Sequence, residues 1–345
     1  MSPLEGAGLE EVALMPNPLL EVRDLMKYFP VYERGILIKK KIGDVHAVDG
    51  VSFDVAKGET MGLVGESGCG KTTAGKAILD LIPKDSGQVL FEGKDVHETL
   101  EHGSNEDRKA MRRGMQMVFQ NPYGSLDPRM TVFDIISEAF IIHRHVAKSE
   151  WKERVYSLLK LVGLEEYHAE RYPHEFSGGQ RQRISIARAL ATEPKFIVAD
   201  EPVSSLDVSV RAQILTLLQS LQQQETISFL YISHDLSSVR QISQHVIVMY
   251  LGKIMEYADV DRIFEHPLNP YTVALLSAVP VPDPERKIKK ILLAGDVPSP
   301  INPPSGCRFN PRCPYATDIC KQTEPPLRQL ESGHLVACHH AEKLM

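Results

Sequence analysis

The residues with the clearest chemical purpose are Gly65-Glu66-Ser67-Gly68-Cys69-Gly70-Lys71-Thr72, followed by Thr73. They fit the pattern G-x-x-x-x-G-K-[ST], whose glycines let backbone N–H groups converge on phosphate oxygens. The apolar run Met61-Gly62-Leu63-Val64 before it reads as a buried strand, and Lys71 to Leu81 reads as a helix with Ala74, Ala77, Ile78 and Leu81 on one face. Strand, loop and helix N-terminus together make an anion site, since the helix dipole adds positive potential where the amides point. Lys71 can reach terminal phosphates and the Thr72 hydroxyl suits a Mg²⁺ ligand. Cys69, inside the loop, is read as a small residue that fits there rather than as a reactive thiol.

Four more polar groups fall where apolar strand patterns end: Gln120 after Met115–Phe119, Asp200 and Glu201 after Phe196–Ala199, and His234 after Ile227–Ser233. In open α/β sheets ligands bind beyond the carboxyl ends of the strands, so these groups and the phosphate loop are expected on one edge. The strands that carry them are short and apolar, as strands buried on both faces are. Leu20, Val22 and Leu25 alternate as a strand does, and His46 to Val55 resumes that pattern. These flanking runs predict an antiparallel sheet beside a parallel core. The Lys39-Lys40-Lys41 run between them is read as a solvated hairpin, and residues 97–110 as a polar loop with a short helix. From Val132 to Leu164 the period is helical, with Val155, Leu158, Leu159 and Val162 on one face. Phe176-Ser177-Gly178-Gly179-Gln180 then opens a helix over Arg181 to Thr192, and Ser204-Ser205-Leu206-Asp207 is a tight loop before a helix over Val208 to Gln223.

Composition narrows the class. The chain has 345 residues, 43% hydrophobic and 24% charged, with a formal net charge of −6 at pH 7. That is ordinary for a globular protein and offers no basic field for nucleic acid. No apolar run approaches the roughly 20 residues that span a bilayer. The start, Met1-Ser2-Pro3-Leu4-Glu5, lacks the features of a secretory signal, so a cytoplasmic address is expected. Residues 1–18 read as a loose leader rich in Gly, Pro and Glu.

Taken in order, these motifs resemble the ATP-binding subunits of ABC transporters over residues 19–260. Gly65–Thr72 matches the phosphate loop, Gln120 the Q-loop, Phe176–Gln180 the signature, Phe196–Glu201 the second Walker motif, Ser204–Asp207 the D-loop and His234 the switch histidine. Phe176 stands where the family more often has Leu. The resemblance implies an α/β fold: a P-loop ATPase core of mixed sheet with flanking helices, an antiparallel β edge subdomain, an inserted helical subdomain at about 121–190, and a small Cys/Pro-rich C-terminal extension over 261–345. It implies ATP and Mg²⁺ as ligands, with Mg²⁺ held by Thr72 and Asp200 and joined by Gln120. Glu201 would polarise the attacking water as general base, and His234 would contact the γ-phosphate. An aromatic of the first strand would stack on adenine, Phe29 by position before Tyr28. Ser177, Gly178, Gly179 and Gln180 would meet the γ-phosphate held by an opposite subunit, with Asp207 beside them, so that ATP closes a dimer.

A finer resemblance, to the oligopeptide/dipeptide importers, spans nearly the whole chain. It rests on Gln120-Asn121-Pro122, Ser125-Leu126-Asp127-Pro128-Arg129, His266-Pro267, Asn269-Pro270-Tyr271-Thr272 and the proline- and cysteine-rich tail. It implies two membrane permease subunits, with a second homologous ATPase subunit completing a heterodimer. An extracytoplasmic solute-binding protein acts indirectly, and the chain sits on the cytoplasmic face of the membrane. Nickel and glutathione importers of the same family remain alternatives, as does a non-transport ABC ATPase. Against the last, only about a hundred residues separate phosphate loop and signature, without sustained heptads.

Four of the five cysteines, Cys307, Cys313, Cys320 and Cys338, fall in the tail, within a module at about 297–345. Its prolines forbid long helices, and so small a module needs a staple. A reducing cytosol argues against disulfides. The spacings of five, six and seventeen residues leave zinc and an iron–sulfur cluster both open. His334, His339 and His340 are read as solvated surface residues. The resemblance tips the choice, because some peptide-importer ATPases carry a [4Fe–4S] cluster on four cysteines of this tail; zinc is the alternative.

Overall fold

The computed structural model describes residues 17–34, 39–278, 291, 293 and 295–343. Most of the expected leader therefore lies outside the described residues. The chain opens with β1 (Leu20–Arg34), β2 (Lys39–Val55) and β3 (Thr60–Val64), then α1 (Lys71–Ile78), β4 (Ser86–Phe91) and β5 (Lys94–Asp95). Next come α2 (Val96–His102), α3 (Asn105–Gly114), β6 (Met115–Val118), α4 (Pro122–Ser125), α5 (Val132–His143), α6 (Trp151–Leu161) and α7 (Gly178–Leu190). β7 (Phe196–Asp200), α8 (Val208–Glu225), β8 (Ser228–Ser233), α9 (Leu236–Ile242), β9 (His245–Tyr250) and β10 (Lys253–Asp259) follow. The remainder is α10 (Val260–Glu265), α11 (Pro270–Ser277), α12 (Asp318–Gln322), β11 (Arg328–Glu331) and β12 (His334–Val336).

Two sheets form, as expected. The antiparallel one runs β2-β1-β4-β5 and the mixed one β11-β12-β10-β9-β3-β8-β7-β6. In the mixed sheet β9, β3, β8, β7 and β6 pair in parallel, and every residue of β3, β7 and β8 is buried. Two apolar cores flank it. One fills the space beneath the antiparallel sheet and joins Leu20, Val22, Phe53, Leu63, Ile78 and Phe91; the other packs α5–α9 on the opposite face. The hairpin is solvated at Lys40 and Lys41, as read from the charge run, and Glu33 pairs with Lys40.

Several expectations need correction. α1 ends at Ile78, and Leu81 is 47% exposed rather than on the buried face; Asp80 beyond it adopts a left-handed φ of 51° that stops the helix. The stretch 97–110 lies in two helices rather than in a loop with one short helix. Asp95 caps α2 by accepting from the Glu98 amide, and Ser104 caps α3 by accepting from Asp107. The signature helix begins at Gly178, earlier than Arg181. His334 is not solvated: it is 1% exposed, with Nε2 2.8 Å from Glu256 Oε1.

The histidine pins the tail to the core sheet. β12 pairs with β10, so β11 and β12 extend the mixed sheet instead of forming a separate layer. Glu256, on β10, is fully buried and also accepts the amides of Leu268 and Asn269. Asn269, whose side chain caps α11, donates to the carbonyls of Met255 and Ala337. Removing the carboxylate leaves three buried donors, the Leu268 and Asn269 amides and His334 Nε2, without a partner, each costing about 1–3 kcal/mol. Glu256→Ala is therefore expected to destabilise the protein by about 3 kcal/mol or more, read as a lower chemical-denaturation midpoint for the full chain. A midpoint equal to wild type would show that the tail is held by other contacts.

Candidate functional site

The phosphate loop runs from the end of β3 to the start of α1, and its backbone is close-packed against other segments. Gly70 has φ 109°, and a Cβ there would come 1.8 Å from the carbonyl oxygen of Ala47. The turn between β9 and β10 supports the loop from beneath, with the Gly252 amide donating to the Cys69 carbonyl at 2.9 Å. Lys71 is buried, and its ammonium donates to the loop carbonyls of Gly65 and Glu66 at 2.7 and 3.0 Å. Ser67 and Gly68 are exposed at the tip, while Thr73 is half-buried in the first turn of α1. Cys69 is buried and burial raises its thiol pKa, which agrees with an unreactive packing residue.

Next to Lys71, the Thr72 hydroxyl donates to Asp200 Oδ1 at 2.8 Å. Two hard oxygen donors thus meet at a helix N-terminus, a donor set that suits Mg²⁺. Burial raises the pKa of Asp200, and the Thr72 bond works against that rise. Glu201, one residue on, takes a left-handed φ of 45°. The turn carries its carboxylate to two partners. Gln120 Nε2 donates to Oε2 at 2.9 Å, and His234 Nδ1 lies 3.0 Å from Oε1. The ends of β6, β7 and β8 therefore bring Gln120, Glu201 and His234 together as expected, although Gln120 is engaged with Glu201 and not with the Thr72–Asp200 pair.

Two structures connect this cluster to the helices. The turn after Gln120, α4, lies on α7: the Arg181 guanidinium stands 3.6 Å from the Tyr123 ring centroid, and Arg188 donates to the Ser125 carbonyl. Ser177 caps α7 in a capping box, accepting from the Gln180 amide while Gln180 Oε1 accepts from the Ser177 amide. Gly178 and Gly179 form the first turn of that helix, and a Cβ on Gly179 would meet Val210 of α8 at 2.2 Å. Asp207 caps α8 by accepting from Val210 and Ser209, and the Val210 amide bond foremost lowers its pKa.

The two aromatic candidates differ. The Tyr28 hydroxyl donates to Asp49 Oδ1 at 2.7 Å and its ring packs on His46 at 4.2 Å between centroids. Burial and the Asp49 bond push its pKa up to about 12. Phe29 is 39% exposed, so its ring is the one open to a planar base.

Sequence reasoning missed the groups behind the loop. The Tyr271 hydroxyl accepts from the Glu66 amide at 2.9 Å. Arg308 donates to Asp49 and to the Leu251 carbonyl, and Arg312 pairs with Glu66. The only local signal was the Asn269-Pro270-Tyr271 cap; the arginines sit in the tail, far from their partners in sequence.

The four tail cysteines line one small cavity, beside Phe309, Ala337, His339 and His340. Burial pushes the Cys307 thiol up to about 12 and raises Cys313 and Cys338, with the neighbouring cysteines adding to each rise. Among the described residues no group of three or more His, Cys, Asp or Glu is arranged to enclose a metal ion. His339 and His340 turn to the Thr323 carbonyl and the Thr317 hydroxyl instead.

Comparison with known proteins places the chain in a family. A family model described as "ABC transporter" matches residues 48–204, and one described as "Oligopeptide/dipeptide transporter, C-terminal region" matches residues 255–320. The oligopeptide transport ATP-binding protein AppF of Bacillus subtilis (strain 168) is 52% identical over 323 residues, 93% of this chain and 97% of that one. Among solved structures, the ATP-binding cassette MJ0796, a dimer bound to ADP and Pi in a post-hydrolysis state, has a TM-score of 0.60 at 25% identity. The match covers 70% of this chain and 98% of that one. The protein cbiO1 from Clostridium perfringens gives the same TM-score and identity over 73% of this chain and 93% of its own.

Glu201→Gln keeps the shape and hydrogen-bonding reach of the side chain but removes its basicity. It is expected to bind nucleoside triphosphate as wild type does and to lose about 10²- to 10⁴-fold in turnover, measured as phosphate release against nucleotide binding. Turnover within a factor of two of wild type would show that another group takes the proton.

Proposed function

This chain belongs to the ABC transporter ATP-binding family, in its oligopeptide/dipeptide branch, and from that premise we propose how its site works and with whom. It is an ATP hydrolase coupled to peptide transport, and its family implies ATP and Mg²⁺, permease partners in the membrane and a solute-binding protein. The observation that carries the mechanism is the Glu201 carboxylate held at both oxygens by Gln120 and His234, one residue beyond the Thr72–Asp200 pair.

The amides of Gly65–Lys71 and the α1 N-terminus hold the β- and γ-phosphates, Lys71 leaving its loop carbonyls to meet them. Mg²⁺, when bound by Thr72 and Asp200, neutralises phosphate charge. Glu201 accepts a proton from water as general base, His234 orients that water, and Gln120 leaves Glu201 when the γ-phosphate is present. Phe29 stacks on adenine, while Tyr28 belongs to the support behind it. Ser177–Gln180 and Asp207 serve the site of the opposite subunit, so that ATP closes a dimer of ATPase subunits and hydrolysis reopens it. Because α4 rides on α7, a change at Gln120 is passed to the helices between Gln120 and Trp151, the surface that meets the permeases.

The finer reading is a peripheral subunit at the cytoplasmic membrane face, paired with a second, homologous ATPase and powering import of di- or oligopeptides. Among the described residues no helix is long and apolar enough to cross a membrane; in this reading the chain meets the bilayer through its permease partners. Tagged chain extracted from membranes in mild detergent is expected to copurify with two permeases and a second ATPase. In the reconstituted complex, ATPase activity should rise with peptide-loaded binding protein and not with nickel or glutathione. Recovery on ribosomes or DNA, or stimulation by nickel or glutathione, would overturn the assignment.

Cys307, Cys313, Cys320 and Cys338 bind a [4Fe–4S] cluster in this reading. Their convergence on one cavity supports it, and a cluster spreads four thiolates over four irons, where one zinc draws four sulfurs to about 2.3 Å from a single point. Binding must displace thiol protons, so loading favours higher pH. Anaerobically purified protein is expected to be brown, with about four irons and four sulfides per chain. Colourless protein that keeps one zinc after anaerobic reconstitution would assign the cavity to zinc.

A further inference from the structure

Every feature of the phosphate loop favours an anion except one. Glu66 places a carboxylate in the second position of a loop built from amides, a helix N-terminus and Lys71. An uncompensated negative charge there would repel a polyphosphate. The carboxylate is compensated from 246 residues away in the chain. Arg312 Nη1 donates to Glu66 Oε2 at 2.8 Å and Nη2 to Oε1 at 3.2 Å, a forked pair. The Arg312 side chain is only 9% exposed and that of Glu66 26%, so water screens the pair weakly.

The guanidinium is held in place before any ligand arrives. It belongs to a short turn over Asn310–Arg312, and the residues leading into that turn are locked. Phe309 is buried against the rings of Tyr250 and Tyr271 at 5.4 and 5.3 Å between centroids. Arg308 is buried and bonded to Asp49 and to the Leu251 carbonyl. Arg312 itself reaches the Tyr250 hydroxyl at 3.4 Å. Tyr271, against which Phe309 packs, accepts the Glu66 amide. The C-terminal region therefore grips Glu66 at both backbone and side chain.

We propose that Arg312 is a positioning residue of the nucleotide site: it neutralises Glu66 and fixes the entry of the phosphate loop, so that the C-terminal extension sets the affinity for ATP. The inference rests on reading residues 65–72 as the ATP site, and extends it to a segment outside the cassette motifs. Its effect belongs to binding, not to the proton transfer at Glu201.

The test uses the full-length protein, with ATP affinity from equilibrium binding and KM and kcat from phosphate release. Lys71→Ala checks the reading beneath the proposal: undiminished ATP binding in that variant would overturn the site itself, whatever Arg312 does. Given the site, Arg312→Ala is expected to weaken ATP binding and raise KM by about tenfold, the worth of one charge-assisted pair, with kcat within about twofold. Arg312→Lys restores part of the loss, since it keeps charge without the fork. In a Glu66→Gln background the same Arg312→Ala change should shift affinity less than about twofold, because no carboxylate remains to neutralise. A brace with no role in nucleotide binding would lower thermal stability and leave KM unchanged, or shift affinity equally in both backgrounds; either result overturns the proposal. If Arg312→Ala fails to fold, Arg312→Lys and Arg312→Gln, each with and without Glu66→Gln, give the same comparison.

Discussion

The structure depends on the close packing that lets a bare backbone loop hold a polyanion. Amides bind phosphate only if they point inward together and stay there without ligand. Gly70 therefore sits where the Ala47 carbonyl leaves no room for a side chain, and the β9–β10 turn supports Cys69 from below. The antiparallel sheet, the core sheet and the C-terminal tail all touch this loop. Ala47 comes from the first, Gly252 from the second, and Arg312 from the third. These supports come from three parts of the chain, while Lys71 holds the loop's own carbonyls of Gly65 and Glu66.

Around that loop, the parallel strands act as rulers. β6, β7 and β8 end beside one another, and their last polar groups meet because adjacent parallel strands finish on the same edge. The left-handed Glu201 is the exception to regular backbone at that edge. Such a conformation is costly for a residue with a side chain, and here it turns a carboxylate away from the strand direction toward Gln120 and His234. Asp200, still in the strand, stays buried against Thr72. Two consecutive carboxylates thus occupy different environments, one tied to the loop hydroxyl and one held between Gln120 and His234 at the sheet edge.

What the sequence made legible was local. The phosphate loop and the apolar strands with their terminal polar groups are patterns within a few residues, and each lies where its spacing puts it. α2 and α3 were also within reach: Asp95 three residues before Glu98, and Ser104 three before Asp107, are helix starts that the polar composition of 97–110 obscured. Periodicity puts Leu81 on the buried face because it carries no sign of where a helix stops, and Asp80 stops this one. His334 lay beyond reach for another reason. Its partner Glu256 is 78 residues away, and nothing near either residue announces a buried pair. The pairing of Arg312 with Glu66 spans more still. Long-range polar contacts leave no periodic trace, so the tail looked like a separate module.

The tail's composition explains why it could not remain separate. Rich in proline and poor in long apolar runs, it contributes among the described residues to a small cluster, Val336 and Ala341 with Leu268. It gains order by borrowing: two short strands added to the mixed sheet, His334 on buried Glu256, Phe309 against Tyr250 and Tyr271, and two arginines on core carboxylates. Each borrowed contact is also a contact made by the core. Those at Asp49 and Glu66 reach Tyr28 of β1 and the phosphate loop. The cavity of four cysteines shares that position: it is lined by Phe309 and Asn310, which stand between the two arginines in the sequence, and by Ala337, which follows β12.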